Sequence, residues 1–343
     1  MTGSQLLAPL AAIYGSGVGA RLALYRAGIF RVRRAARPVI SVGNLAAGGA
    51  GKTPFVRWLA GELLARGERP AILTRGYGRR SRGLVVVSDG AGTIAPPHLS
   101  GDEPAVLARA LPRVPVVADA RRLRASERAL AIAPDVSLFL LDDGFSHVAL
   151  SRDVDIVLLD ATAPDAGGSL LPAGRLREPL KSLARADFVV VTKAEQTDPG
   201  PAFAFAARHA PGVPVFHAVT EVTGVFDGHG EPLRPMEVGE RAAVAVSGLA
   251  HPEAFAATLA ALGIRPAAFL AFRDHVRYGG AEIGRIERAV EETGAGTIVT
   301  TEKDAVKLES ICAIPLVTVA VRMRVVEPDF TGALIAQLSR RPS

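Results

Sequence analysis

The sequence contains almost no cysteine. Cys312 is the single cysteine among 343 residues, which excludes a disulfide scaffold and a zinc site built from several cysteines, and which fits a reducing compartment. A chain of this length buries about three-quarters of the surface that it exposes when unfolded, so its core needs neither device. The length predicts one large domain or two smaller ones, and 49% hydrophobic residues exclude a disordered chain.

Acidic residues are missing from the start of the chain. The first carboxylate is Glu62, and the eight basic residues before it are Arg21, Arg26, Arg31, Arg33, Arg34, Arg37, Lys52 and Arg57. Because these eight exceed the net charge of +6 of the whole chain, the remaining sequence is slightly acidic. This distribution excludes an evenly basic surface for nucleic acid, and we expect no nucleic-acid partner.

The stretch from Leu6 to Ala20 is uncharged and largely apolar, although proline and glycines interrupt it. It is shorter than the roughly 20 apolar residues of a spanning helix, and its arginines follow the apolar residues, whereas those of a secretory signal precede them. A transit peptide is also rich in arginine and poor in acid, but here the first strand follows within a few residues.

We therefore predict that residues 1–37 form a helical segment that lies on an anionic membrane surface. Its arginines would meet the lipid headgroups, and its apolar patch would consist of Leu6, Leu7, Leu10, Ile13 and Tyr14. The alternative is a helix packed on the protein body with its arginines in solvent.

Short apolar segments alternate with segments of helical spacing. Strands are predicted at 39–42, 71–74, 116–118, 137–141, 156–159, 188–192, 242–247, 267–270, 297–301 and 316–320. Uninterrupted runs of Val, Ile and Leu indicate strands that are covered on both faces. We expect an α/β fold with a mostly parallel sheet and helices on both faces.

The pattern changes around residues 213–235, where alternation is followed by Asp227-Gly228-His229-Gly230, which is typical of a hairpin turn. We place the domain boundary there. The predicted units are the N-terminal helix (1–37), a core (38–212), a hairpin-like linker (213–235), and a smaller C-terminal α/β subdomain that closes over the active site (236–343).

A glycine-rich turn between a predicted strand and a predicted helix indicates a phosphate-binding loop. Its residues are Ala46, Ala47, Gly48, Gly49, Ala50, Gly51, Lys52 and Thr53. Backbone amides and the helix N-terminus surround phosphates in such loops, the lysine reaches the β and γ oxygens, and the hydroxyl of Thr53 can bind Mg²⁺. Ala46 departs from the usual pattern, which has glycine there. The fold class is therefore predicted as P-loop NTPase-like.

A metal-binding partner for this loop is predicted at Asp142 and Asp143, which follow an apolar strand, as in a Walker B element. The sequence does not choose between the two carboxylates. Paired aspartates at a strand end also occur as solvated turn residues, which is the alternative.

Five motifs in this order closely resemble those of the tetraacyldisaccharide 4'-kinases of lipid A biosynthesis, over about residues 10–325. They are Ser41-Val42-Gly43-Asn44 with the loop 48–54, Gly101-Asp102-Glu103-Pro104, Asp142-Asp143-Gly144-Phe145, the segment 171–179, and Thr300-Thr301-Glu302-Lys303-Asp304-Ala305. One departure is Ser146, which stands before His147 where the family usually has Gln; Ser is shorter and has no amide.

The resemblance implies transfer of the γ-phosphoryl group of ATP to the 4'-hydroxyl of tetraacyldisaccharide 1-phosphate, an acylated glucosamine disaccharide, to give lipid IVA. It also implies Mg²⁺ and attachment to the cytoplasmic face of the bacterial inner membrane. Phosphoryl transfer depends mostly on positioning and on charge neutralisation, which Lys52 and Mg²⁺ would supply.

The family's catalytic Asp and its partner His match Asp102 and His275. The resemblance therefore implies that Asp102 accepts the proton of the sugar hydroxyl and that His275 orients it or shares the proton. Without the resemblance, Asp102 beside Glu103-Pro104 is also a candidate helix N-cap, and His275 a candidate surface histidine of a loop.

Arg122, Arg175 and Arg177 are candidates for binding the phosphate of the lipid substrate or of ATP, because arginine binds phosphate through two parallel hydrogen bonds. The alternative for each is an ordinary exposed arginine. Thr192-Lys193-Ala194-Glu195 only weakly resembles a guanine-reading motif and is interpreted as structural. Thr301 is predicted to cap the helix that follows it.

Two other function classes remain open at this point. The first is a P-loop regulatory switch or metallochaperone-like GTPase, which shares Gly-Gly-x-Gly-Lys-Thr; some of these proteins carry a lysine where this chain has Ala47, and the chain lacks a base-reading motif. The second is a soluble kinase of small metabolites, which does not account for the acid-free apolar N-terminus.

Overall fold

The structure is a computed structural model that describes residues 3–77, 79, 81–240, 242–274, 276–309 and 311–340. The strands are β1 (Val39–Gly43), β2 (Pro70–Thr74), β3 (Val85–Ser88), β4 (Val116–Ala118), β5 (Leu138–Asp142), β6 (Val154–Asp160), β7 (Phe188–Thr192), β8 (Val215–Asp227), β9 (Pro232–Leu233), β10 (Ala243–Ser247), β11 (Ala268–Ala271), β12 (Thr297–Thr301) and β13 (Leu316–Val325). The helices are α1 (Gly3–Arg26), α2 (Lys52–Ala65), α3 (Pro97–Ser100), α4 (Asp102–Ala110), α5 (Arg122–Ile132), α6 (Gly200–His209), α7 (Pro235–Glu240), α8 (Pro252–Ala261), α9 (Gly280–Thr293), α10 (Glu302–Leu308) and α11 (Phe330–Arg340), with a 3-10 helix at Leu180–Arg185.

The strands form one mixed sheet in the order β11-β10-β12-β13-β8-β7-β6-β1-β5-β2-β4-β3, with β9 beside β8. Most neighbouring strands are parallel, while β13 pairs antiparallel with β8, β3 with β4, and β9 with β8. The prediction of a mostly parallel α/β sheet with an N-terminal helix is thus confirmed.

Helices cover both faces of the sheet. Neighbouring residues of a strand point to opposite faces, so the apolar side chains of one strand pack against helices on both sides. In β1, Ile40 and Val42 pack in the same cluster as Phe55 and Leu59 of α2. Val39 packs in the cluster on the other face, which includes side chains of α5. All five residues of β1 are buried, as expected of a strand that is covered on both faces.

Strand β8 connects the two parts of the sheet. Its residues 215–217 pair in parallel with β7, and its residues 218–227 pair antiparallel with β13. The turn predicted after it is confirmed, because the amide of Gly230 donates to the carbonyl of Asp227 at 3.1 Å and β9 pairs back with β8. The domain limits at 38–212, 213–235 and 236–343 stay a prediction.

Strands β3 and β13 are two of those that differ from the sequence expectation. Strand β3 was not predicted; it lies at the edge of the sheet, where its first two residues are only half-buried. Strand β13 continues to Val325, five residues beyond the predicted end, because its second half pairs with β8. The polar arginines within it hide this extension from a pattern based on apolar runs.

The last helix, α11, returns to the first part of the chain. Its Phe330 is 1% exposed and lies among four aromatic rings, with centroid distances of 5.0–5.9 Å. These rings belong to Phe55, Trp58, Phe188 and Phe216. The helix that carries the phosphate loop is therefore packed against the C-terminal end of the chain.

We expect Phe330→Ala to lower the free energy of unfolding by about 3–5 kcal/mol, because it leaves a cavity between four rings. Urea denaturation followed by circular dichroism measures this as a lower midpoint. Met236→Ala is the control, since Met236 is 63% exposed and its loss should change stability by less than about 0.5 kcal/mol. An unchanged midpoint for Phe330→Ala would contradict the packing described here.

Candidate active site

The predicted phosphate loop lies between the carboxyl end of β1 and the start of α2. Helix α2 begins at Lys52, so its free amide groups point toward the loop. Gly51 precedes the helix with φ of 76° and Gly48 has φ of 117°, and both values lie in the left-handed region that favours glycine. A Cβ on Gly51 would also lie 2.7 Å from Cε of Met323. The glycines thus allow the tight bend of the loop.

The side chain of Lys52 turns back over its own loop. Its Nζ donates to Oδ1 of Asn44 at 3.1 Å and to the carbonyl of Gly48 at 3.4 Å. The same nitrogen lies 3.6 Å from Oδ1 of Asp143. The ammonium group is therefore held above the loop by neutral and acidic oxygens, at the place where a phosphate-binding lysine is expected.

Arg177 and Arg175 hold the first half of the loop. The guanidinium of Arg177 donates to both carboxylate oxygens of Asp143, at 2.8 and 2.9 Å, and to Oδ1 of Asn44 at 2.6 Å. Its Nε donates to the carbonyl of Ala46, and Nε of Arg175 donates to the carbonyl of Ala47, each at 3.2 Å. The structure therefore brings two of the three candidate arginines to the loop.

The two adjacent aspartates at the end of β5 differ in their electrostatics. Burial, together with the carboxylates of Glu103 and Asp143, raises the pKa of Asp142 to about 7. Burial also acts to raise the pKa of Asp143, but the hydrogen bonds from Arg177 and the charge of Lys52 outweigh it and lower that pKa to about 2. Asp142 is therefore less well compensated by positive charge than Asp143.

The donor set at this point fits Mg²⁺. Asp142 is 2% exposed, and Oδ2 of its carboxylate accepts a hydrogen bond from Thr74 at 3.0 Å. Mg²⁺ usually binds proteins through one or two carboxylates together with substrate phosphates. A divalent cation beside Asp142 would add positive charge to that of Lys52 and Arg122, and Thr53 at the start of α2 is the candidate hydroxyl ligand.

Arg122 lies on the inner side of these aspartates. It is 2% exposed, and its guanidinium donates to the backbone carbonyl of Asp119 and, at 3.5 Å, to that of Asp142. Burial lowers the pKa of Arg122 to about 10, although the carboxylates of Asp142 and Asp143 oppose this. The positive charge of Arg122 therefore acts on Asp142 and Asp143 from inside the protein. The predicted role of Arg122 in substrate binding stays a prediction.

Ser146 follows the aspartates in a buried loop. Its Oγ has no hydrogen-bond partner among the described residues, while its carbonyl accepts from Arg21 of α1 at 3.0 Å. Burial and nearby arginines, of which Arg122 contributes most, lower the pKa of the adjacent His147 to about 4. His147 is therefore neutral at neutral pH.

Asp102 is the first residue of α4, and Gly101, with φ of 93°, is the N-cap residue. No side chain caps this helix, so the alternative of Asp102 as an N-cap is wrong. Oδ2 of Asp102 lies instead 3.1 Å from Nζ of Lys307 on α10. His275 lies outside the described residues, and its neighbour Asp274 accepts from Lys303 of α10 at 2.7 Å.

Helix α10 connects the two parts of the molecule beside the site. Glu302 at its start accepts two hydrogen bonds from Arg57 of α2, at 2.8 and 3.0 Å. Glu309, directly after the helix, accepts from Arg109 of α4 at 2.6 Å. The predicted cap is confirmed, because Oγ1 of Thr301 accepts from the amide of Asp304. The phosphate loop and Asp102 are thus linked through one helix of the C-terminal part.

The N-terminal helix also reaches the site. The hydroxyl of Tyr14 donates to the carbonyl of Arg177 at 3.1 Å, and Arg21 donates to Ser146, as described above. At Gly15, an added Cβ would lie 2.6 Å from the side chain of Leu170, so α1 lies close to the segment that precedes Arg177.

The roles of several site residues are not predictable from the sequence. Asn44 belongs to one of the family motifs, but its contacts with Lys52 and Arg177 are seen only in the folded protein. Thr192, interpreted as structural, supports the loop by donating to the carbonyl of Ala50 at 3.0 Å, and Lys193 pairs with Asp160 at 2.5 Å. No sequence signal marked Lys307, because its partner lies in the other half of the chain.

Comparisons with known proteins agree on one family. The family model for tetraacyldisaccharide-1-P 4'-kinase (LpxK) matches residues 3–339. The chain is similar to a tetraacyldisaccharide 4'-kinase of Anaeromyxobacter sp. (44% identity, 90% of this chain and 82% of that protein) and to one of Geobacter metallireducens (44%, 88% of both). It also resembles the crystal structure of LpxK from Aquifex aeolicus in complex with ATP, with a TM-score of 0.80, 33% identity, and coverage of 98% of this chain and 99% of that one.

Proposed function

The chain belongs to the tetraacyldisaccharide-1-P 4'-kinase family and is a kinase of the lipid A pathway, and we propose that Lys52, Asp102 and His275 carry its reaction. In this reaction the γ-phosphoryl group of ATP passes to the 4'-hydroxyl of the acylated disaccharide 1-phosphate, giving lipid IVA. The observation that carries the proposal is the position of Lys52, held over a glycine-rich loop at a helix N-terminus and 3.6 Å from Asp143.

Each group of this chain has a defined task in the proposed reaction. The amides at the start of α2 and Nζ of Lys52 bind the β and γ phosphate oxygens, which replace oxygen atoms that Lys52 contacts in the structure. Asp102 accepts the proton of the 4'-hydroxyl while the 4'-oxygen bonds to the γ phosphorus and the bond to the β,γ-bridging oxygen breaks. His275 would orient Asp102 or share this proton. Mg²⁺, held by Thr53 with Asp142 or Asp143, would neutralise phosphate charge when bound.

The arginines are proposed to bind anionic groups of the two substrates. Arg175 and Arg177 each donate a hydrogen bond to a backbone carbonyl of the loop. A phosphate bound in the loop would therefore lie close to both guanidinium groups. Arg122 would act on the same site through its buried charge. The alternative of a regulatory P-loop switch is not favoured, because the family and the named relatives are kinases.

Mass spectrometry of the lipid product tests the function directly. Purified enzyme with ATP and the acylated disaccharide 1-phosphate should give the acceptor with one additional phosphoryl group, and fragmentation should place that group on the 4'-position. Incubation without the lipid is the control. Nucleotide hydrolysis that proceeds equally without the lipid, and no phosphorylated lipid, would support the regulatory switch instead.

We further propose that α1 and the segment after it attach the enzyme to an anionic membrane at the cytoplasmic face of the inner membrane. The helix α1 continues beyond the stretch Leu6–Ala20, so that by length and composition alone its part Leu7–Arg26, with a mean hydropathy of 1.3, is long and apolar enough to cross a membrane. Among its apolar residues, Leu10 and Ile13 are 54% and 69% exposed, and Ile29 beyond the helix is 66% exposed. Exposed apolar side chains next to exposed arginines match a lipid surface better than water. Leu6 belongs to the predicted patch, but the structure does not describe its side chain.

The double variant Arg31→Glu and Arg33→Glu should weaken binding of the full-length enzyme to anionic vesicles by at least about tenfold, since each basic residue near such a surface contributes about 1 kcal/mol. Vesicle sedimentation measures this, and added salt should weaken binding of the wild-type enzyme further. Both side chains are exposed. Arg34 is left unchanged because it lies 3.6 Å from Asp153.

The matched control reverses two exposed arginines elsewhere, Arg208 on α6 and Arg288 on α9. This control has the same net charge as the test variant and should bind like the wild type. Equal loss in both variants would mean that total charge, and not the N-terminal segment, determines attachment.

A further inference from the structure

The side chain of Lys307 on α10 is almost completely buried between the two parts of the molecule. This side chain is 9% exposed, and its Nζ lies 3.1 Å from Oδ2 of Asp102 and 3.5 Å from Oδ1 of Asp304. The same nitrogen donates to the carbonyl of Val276 at 3.2 Å and lies 5.8 Å from the ring centroid of Tyr278. A single ammonium group therefore contacts α4, α10 and the segment that directly follows His275.

The charge of Lys307 is held in place by a fixed carboxylate. Asp304 is completely buried, and its Oδ2 accepts from the amide of Gly248 at 2.8 Å and from the hydroxyl of Thr301 at 3.0 Å. A buried charge is costly unless it is paired, and here the ammonium and the Asp304 carboxylate compensate each other. Because Asp304 cannot move without losing these bonds, it defines where Nζ of Lys307 lies.

A role in merely joining the two halves does not account for this burial. Two other ion pairs already connect α10 to the first part of the chain, Arg57 with Glu302 and Arg109 with Glu309, and the second of these is exposed to solvent. Lys307 differs from them because its partner is the proposed catalytic base, and because it also binds the backbone beside the proposed catalytic histidine.

We propose that Lys307 is a positioning residue for phosphoryl transfer, holding the carboxylate of Asp102 in a fixed orientation and fixing the backbone next to His275. This inference rests on the proposed role of Asp102 as the base. An adjacent positive charge favours the ionised carboxylate, which is the form that accepts a proton. Small displacements of a reacting group can cost about 10²-fold in rate.

The test compares Lys307→Met and Lys307→Arg in steady-state kinetics with ATP and the lipid acceptor. We expect kcat to fall by about 10- to 100-fold for Lys307→Met, with KM for ATP unchanged within about threefold, because the nucleotide contacts lie on the phosphate loop. Lys307→Arg keeps the charge and should recover part of kcat. Lys307→Gln, which keeps a hydrogen-bond donor, replaces the Met variant if that variant does not fold.

A double-variant cycle separates positioning from general stability. If Lys307 acts through Asp102, then Lys307→Met should reduce the residual kcat of Asp102→Asn by less than about twofold. Arg109→Met is the matched control, since it removes an ion pair between α4 and the residue directly after α10 and should leave kcat unchanged.

Three outcomes would overturn the inference: a wild-type kcat for both Lys307→Met and Lys307→Gln, losses that multiply in the double variant, or an equal loss in Arg109→Met. Failure of the underlying assignment has a different signature, namely full turnover of Asp102→Asn alone. If Asp102→Asn is strongly impaired while the Lys307 variants are not, the base assignment stands and only the role of Lys307 falls.

Discussion

Lys52→Ala should abolish phosphoryl transfer, with kcat at least about 10³-fold below that of the wild type. Removal of one preorganised charge donor from a transition state typically costs about 10²–10³-fold, and Lys52 combines that role with binding of the phosphates. In the structure its Nζ lies within 3.6 Å of oxygens from Asn44, Gly48 and Asp143. Transfer of labelled phosphate from ATP to the lipid acceptor measures the loss.

Lys181→Ala is the control for Lys52→Ala, because Lys181 is an exposed lysine of the 3-10 helix and its loss should leave kcat unchanged. The thermal midpoints of both variants should lie near that of the wild type. If Lys52→Ala transferred phosphate at a normal rate, the loop between β1 and α2 would not be the phosphate site, and the assignment of the whole centre would fail with it.

Asp102→Asn should lower kcat by about 10²–10⁴-fold, the usual contribution of a positioned general base. Asparagine keeps the size of the side chain but cannot accept the proton of the sugar hydroxyl. We expect ATP affinity to stay nearly unchanged, because the phosphate loop does not depend on this carboxylate. Equilibrium binding of a non-hydrolysable ATP analogue and steady-state kinetics with saturating lipid measure the two quantities separately.

Asp135→Asn is the matched control for this substitution. Asp135 is an exposed aspartate that pairs with Arg69, and such surface pairs contribute little. Equal kcat for Asp102→Asn and the wild type would remove Asp102 as the base. A kcat loss accompanied by an equal loss of ATP affinity would assign it to nucleotide binding instead.

The sequence predicts most of the elements around the phosphate loop, because their signals are local. The glycines before Lys52 and the apolar run before Asp142 each mark a strand end within a few residues, and α2 and β5 lie where these patterns place them. The cap at Thr301 is equally local and equally correct.

The contacts across the site could not be predicted in the same way. Arg177 binds Asp143, and Lys307 binds Asp102, over 34 and more than 200 positions of sequence. Such pairs depend on how the strands are ordered in the sheet, and nothing in composition or spacing encodes that order. The alternative of Asp102 as the helix N-cap is wrong because Gly101, directly before it, has a positive φ and occupies the cap position.

The position of α11 has a consequence for the biosynthesis of the protein. Phe330 completes the aromatic cluster beneath the phosphate loop, yet a ribosome delivers this residue long after Phe55 and Trp58. Until then Phe55 and Trp58 lack a partner that covers them in the finished protein. Nascent chains therefore expose apolar surface around the nucleotide half until α11 has been made, a state that favours chaperone binding. The phosphate loop is thus translated long before the helix that completes the packing beneath it.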